Sequence, residues 1–161
     1  MNLTFVTDTY LPSSGGVELV VYGLSKQLLK KEYRVNIITQ NYLFKKYPFH
    51  IKYHEVIEGV PVIRLPSLKY ILKKFPILIP LNFIINILLI PYIIYRLCSF
   101  IKRTQPDIVN IQHHGNLALY TLFVSYFCKF KLVVSLHGTP FYTSSIKSLL
   151  FRKLLKKADF V

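Results

Sequence analysis

The chain has 161 residues, room for one domain with a substantial core or for one half of a larger fold. Hydrophobic residues make up 52% of it and charged residues 17%, and 21 Lys plus Arg against 7 Asp plus Glu give a formal charge of +14. An anionic neighbour is therefore expected, although charge alone does not choose among nucleic acid, phosphorylated ligands and lipid. Cys98 and Cys128 lie in apolar surroundings without a CxxC spacing, which points away from a metal knuckle or a disulfide framework and fits a reducing cytoplasm.

The opening "MNLTFVTDTYLP" reads as a strand over about residues 2 to 7 that soon meets polar and turn residues, so it lacks the pattern of a secretory signal. Asp8 follows at the carboxyl edge of that strand, where α/β folds place ligands and where Asp is also a routine loop residue. Gly15 and Gly16 then stand between strand and helix. Their bare backbone suits either an anion at the first helical amides or an ordinary tight turn. The spacing satisfies neither GxGxxG nor a P-loop. A helix is expected over about Val17 to Lys31, with Val17, Val20, Val21, Leu24 and Leu28 on its packed face and Glu18 serving the dipole of its first turn.

A second strand is expected at about 34 to 40. The segment "YHEVIEGVPVIRLP" reads as two short strands around Glu58 and Gly59, an antiparallel excursion at the edge of a parallel sheet, and His50 and His54 near it read as surface residues. "PILIPLNFIINILLIPYIIY", Pro76 to Tyr95, carries no charge. Its length of about 20 residues admits a transmembrane span. Pro76, Pro80 and Pro91 with Asn82 and Asn86 also admit a helix over about Leu81 to Lys102, buried on the sheet behind a Pro-rich loop, or an interfacial segment dipping into one leaflet beside basic residues.

"DIVNIQHHGN" ends a strand over about 107 to 112 at His113 and His114, and "KLVVSLHGTPFY" ends another over about 131 to 136 at His137. Carboxyl ends of neighbouring parallel strands face the ligand crevice, where a histidine can hydrogen-bond a hydroxyl or phosphoryl oxygen and exchange a proton. Gly138 permits close approach, Thr139 adds a hydroxyl and Pro140 ends the strand. Only one of His113 and His114 can face the site, and the three histidines lack a matching cysteine or acid cluster, so no metal is expected. Helices over Asn116 to Lys129 and "SSIKSLLFRKLLKK", the latter capped by Ser144 or Ser145, complete the βαβ alternation, and "ADFV" resembles the start of another strand. The pattern predicts an α/β fold with a Rossmann-like parallel sheet flanked by helices, in one domain over 1–161. No recognition-helix motif or aromatic-basic RNP-like strand accompanies the charge, so nucleic acid is not the expected partner.

Pro12 with Gly15-Gly16-Val17-Glu18, then "PDIVNIQHH", then "SLHGTP", in this order, resemble the N-terminal domain of retaining GT-B glycosyltransferases, specifically glycosyltransferase family four of the glycosyltransferase 1-like group. The resemblance covers essentially the whole chain. It implies the acceptor-side half of a GT-B fold that moves a sugar from a nucleotide-sugar donor, without a metal, to an acceptor that is a sugar or a lipid-linked, membrane-associated molecule. Gly15 and Gly16 would then meet the donor diphosphate, His137 would act near the reacting centre, and Asp8, His113, His114, Gly138 and Thr139 would contact acceptor or sugar. The family's C-terminal half, with its basic residues and Glu-x7-Glu motif, is not in this sequence, and "NIQHH" stands where the family more usually has an HVH-like ending. A truncated frame, an excised domain, a half-enzyme needing a partner chain and a non-catalytic membrane-docking or remnant domain all stay open. The expected location is the cytoplasm, at the inner face of the membrane if the anionic surface is bound.

Overall fold

In the computed structural model, which describes residues 1–42, 53–67, 79–112, 115–137 and 146–161, the Val- and Ile-rich runs become six strands of one sheet. In chain order the elements are β1 (Asn2–Val6), α1 (Gly16–Lys30), β2 (Arg34–Tyr42), β3 (His54–Ile57), β4 (Val60–Ser67), α2 (Ile79–Thr104), β5 (Ile108–Ile111), α3 (Asn116–Val124), β6 (Lys131–Val134) and α4 (Ile146–Lys157). The strand order is β3-β4-β2-β1-β5-β6, with every neighbouring pair parallel except β3 and β4.

The expected edge excursion is half of what is found. β3 is the antiparallel edge, but β4 is an inner strand that pairs in parallel with β2 from Ile37 opposite Val62 to Tyr42 opposite Ser67. Glu58 and Gly59 turn the hairpin with φ of 47° and 85°, the left-handed pair that a two-residue turn between twisted strands requires.

One face of the sheet carries α1, which packs Val21 with flanking Val17, Leu28 and Leu29 on Phe5, Val35, Ile37, Val60 and Val62. The apolar stripe differs from expectation at Val20 and Leu24, which are exposed, because Ser25 occupies the core position instead. Its hydroxyl donates to the Val21 carbonyl at 2.7 Å, so burial leaves no polar group unpaired. The other face carries α2, α3 and α4, whose Ile93, Leu97, Phe100, Ile101, Leu117, Leu122, Phe151 and Leu154 share a core with Val6, Ile38, Ile63, Val109, Ile111, Leu132 and Val134.

The two faces are unequally covered. In β1 the run Leu3 to Val6 is buried on both sides, whereas β5 and β6 alternate, Val109, Ile111, Leu132 and Val134 buried and Ile108, Asn110 and Val133 partly open. The "ADFV" end, expected to start another strand, contributes a single parallel bridge, between Phe160 and Val133 of β6. No helix among the described residues is long and apolar enough to cross a membrane, so α2 meets the buried-helix reading along its inner side. The Pro-rich loop before it and Ser144 and Ser145 lie outside the described residues.

Candidate functional site

The carboxyl ends of β1, β5 and β6 lie side by side, and each leads into a segment singled out from the sequence. After β1, residues 7 to 15 are fixed partly by their own polar groups and partly by neighbouring elements. Thr7 Oγ1 donates to the Thr9 carbonyl at 2.9 Å, the Ser13 amide to the Tyr10 carbonyl at 3.2 Å, and the Thr9 hydroxyl to Glu18 Oε1. Glu18 stands in the first turn of α1, as expected for the dipole, and is also a buried anchor for the loop, while α1 begins without a side-chain cap on Gly15.

The two glycines divide the work. A Cβ on Gly15 would stand 2.5 Å from Glu18 Oε2, so its bareness makes room for that carboxylate, whereas a Cβ on Gly16 would meet nothing among the described residues within 4 Å. Gly16 is thus the open position, at the first turn of a 15-residue helix whose initial amides have no intrahelical acceptor. Neither glycine has positive φ, so open space and not backbone strain is what distinguishes Gly16.

Asp8 crosses to the next loop. Its carboxylate lies against Gly115, the residue before α3, where a Cβ would collide with it. Gln40 Nε2 donates to Asp8 Oδ1 at 3.4 Å, and the Gln40 amide donates to the Asp8 carbonyl at 3.3 Å. The ends of β1, β2 and the start of α3 are joined through this one residue. Burial first, and then the Asp8 charge, pushes the Tyr120 phenol above its ordinary range.

His137 is exposed just past β6, and its Nε2 lies 2.7 Å from Oε1 of Gln112, which is 1% exposed at the end of β5. An amide oxygen accepts only, so this contact places a proton on Nε2 and leaves Nδ1 as the nitrogen not used by Gln112. Gln112 Nε2 in turn donates to Ser135 Oγ at 3.4 Å, and Ser135 Oγ donates to Asn110 Oδ1 at 3.0 Å. The strand period of two puts Asn110, Gln112, Ser135 and His137 on one face, the thinly covered one, as a polar ladder rising to the edge. His113, His114, Gly138 and Thr139 lie outside the described residues.

Two contributors escaped the sequence reading. Gln112 was hidden beside the histidine pair, because it falls on the open face of the β5 alternation, in phase with Asn110, where a polar residue is unremarkable. Arg64, 3% exposed on β4, donates through Nε to Glu55 Oε1 at 2.5 Å and through Nη2 to the Leu11 carbonyl, clamping the loop that carries Gly16. Beside it Tyr10 is buried with a hydroxyl that has no partner among the described residues, and burial pushes its phenol up to about 12. Cys98 and Cys128, unrelated by spacing, bring their sulfurs to 3.5 Å, and burial pushes the Cys128 thiol up to about 11.

The model of Glycosyltransferase Family 4 matches residues 14–161, from the glycine loop through the end of the chain. The chain belongs to Glycosyltransferase Family 4. No curated protein sequence matches it significantly. Among solved structures it is similar to the UDP-GlcNAc 2-epimerase from Methanocaldococcus jannaschii, with 15% identity and a TM-score of 0.57, covering 96% of this chain and 37% of that one. At that identity the likeness is one of fold, a Rossmann-like half of the GT-B type, and this family-four chain spans little more than a third of that protein's length.

Proposed function

We propose that this family-four chain is the acceptor-side half of a retaining glycosyltransferase that moves a sugar from a nucleotide-sugar donor to a membrane-associated acceptor, the donor being shared with a C-terminal domain or partner chain. The observation that carries the reading is the open backbone of Gly16 at the start of α1, on the same sheet edge as the exposed His137. As the glycosidic bond breaks, the departing diphosphate gains negative charge, and amides fixed at a helix start stabilise that charge without reorganising. The dipole contribution is about 0.3 to 1 kcal/mol for an exposed anion and more where solvent is excluded.

Gly15 supports this site indirectly, since Glu18 fills the space over it and fixes the loop. His137, held by Gln112 through Nε2, offers Nδ1 to a hydroxyl of the transferred sugar or acceptor. Asp8 orients the neighbouring α3 start, and His113, His114, Gly138 and Thr139 belong to the same acceptor side in this reading. No metal is needed where amides and cations supply the positive field, and the expected place of action is the cytoplasmic face of a membrane.

The test is hydrolysis and transfer from a panel of nucleotide sugars by the chain, alone and joined to a family-four C-terminal domain. Activity in the joined protein is expected, with His137→Ala lowering kcat at least tenfold while the unfolding midpoint stays near that of the parent, because the side chain is exposed. A folded but silent joined protein, or full activity in His137→Ala, overturns the assignment.

A further inference from the structure

Among the described residues, α2 is apolar on both of its sides, although only one side is packed. Ile93, Leu97, Phe100 and Ile101 face the core, yet Ile84, Ile87, Leu88, Tyr92 and Tyr95 form an outer stripe at helical spacing, with Leu88 70% and Tyr95 68% exposed. A contiguous stripe of this kind marks a surface that is covered in use.

The stripe runs into a basic pocket. Tyr95, Arg96, Ser99, Phe100 and Arg103 of α2, with His54 and Ile63 from the hairpin, line a cavity of about 260 Å³ that has no acidic side chain in its wall. The Arg96 guanidinium is held without a carboxylate. Its Nη1 donates to Tyr92 Oη at 3.3 Å, its Nη2 lies 3.2 Å from His54 Nε2, and it stacks 4.8 Å from the Tyr53 ring centroid. Among the described residues, which include all 7 acidic side chains of the chain, neither Arg96 nor Arg103 is in an ion pair.

We propose that this face docks on an anionic phospholipid leaflet, with the outer stripe of α2 at the acyl boundary and a headgroup phosphate in the pocket of Arg96, Arg103 and His54. Three features select lipid over a protein partner. The cations lack carboxylates, the tyrosines stand where the apolar stripe meets the charged pocket, and the apolar and basic parts are successive turns of one helix, the arrangement an amphiphile presents in reverse. Planar guanidinium groups recognise phosphate oxygens in pairs, which a lysine in the same place does not do. The inference deepens the membrane-acceptor part of the proposed function by naming its surface, and it is tested without sugar donor or turnover, so each can fail without the other.

The experiment is co-sedimentation of the chain with phosphatidylcholine vesicles, with and without phosphatidylglycerol, over a range of salt. Binding is expected only with phosphatidylglycerol and weakens as salt rises. Leu88→Glu, at an exposed position that leaves the core intact, is expected to reduce partitioning about tenfold or more. Arg96→Gln with Arg103→Gln is expected to reduce it about 25-fold, about fivefold for each cation removed. Circular dichroism of each variant checks the fold. Equal binding to neutral vesicles, or unchanged binding in both variants, overturns the proposal. So does self-association lost in Leu88→Glu without vesicle binding, which assigns the face to a second copy. Protection of the parent by inorganic phosphate without vesicle binding overturns it too, leaving a site for free phosphate.

Discussion

Gly16 and Gly115 both stand at helix starts, and a methyl group has opposite consequences at the two. At Gly16 it enters open space, so Gly16→Ala is expected to stay within about 1 kcal/mol of the parent in chemical denaturation while raising KM for the donor in the joined protein. At Gly115 it strikes the Asp8 carboxylate, and Gly115→Ala is expected to lose about 1 to 3 kcal/mol in the same measurement. Tyr10 sets an alkaline limit at the same scale. Its folded pKa is about 12 against an ordinary 10.0, raised chiefly by burial, so the folded chain keeps a proton that the unfolded chain releases between these values. The contribution is whole below pH 10 and is lost as pH rises toward 12, amounting to about 2 to 3 kcal/mol. Urea denaturation at stepped alkaline pH checks it, and Tyr10→Phe should flatten that decline.

At the scale of elements, helices and strands were legible wherever local pattern decides. The Val and Ile runs, the Glu58-Gly59 turn and the alternation of strand with helix all report forces acting within a dozen residues. β4 was misjudged because "VPVIRLPS" carries Pro61, Pro66 and a lone arginine, features of an edge, while its place beside β2 depends on pairing between distant segments. The site divided in the same way. Gly16 and His137 were visible as residues ending one element and starting another, whereas Gln112 and Arg64 matter through partners 25 and 53 positions away. Arg64 carries the clearest test. Arg64→Met strands the Glu55 carboxylate and the Leu11 carbonyl and is expected to cost about 3 kcal/mol, part of which the double variant with Glu55→Leu recovers. A full double-mutant cycle by thermal melting measures that coupling.

For the whole molecule, charge and coverage are both asymmetric. The second half of the sequence holds few of the acids, and among the described residues the β5 and β6 half of the sheet is covered well only on the α2, α3 and α4 face. The loop after β1 and the edge hairpin are separated in sequence by α1 and β2, yet Arg64 holds the Leu11 carbonyl from β4 and the Glu55 carboxylate from β3, while Lys26 and Tyr22 of α1 hold Glu58 in the turn at 2.5 and 2.7 Å. The hairpin therefore cannot peel from the sheet without freeing the loop. The two form one cooperative opening unit, and their amides should exchange with deuterated solvent at a common free energy instead of as a frayed edge and an independent loop. Arg64→Met should split that single event into two, with the hairpin exchanging first. The loop that leads into Gly16 then draws part of its rigidity from the far rim of the sheet, so the fidelity of a backbone contact to a ligand depends on how tightly an edge strand is kept shut.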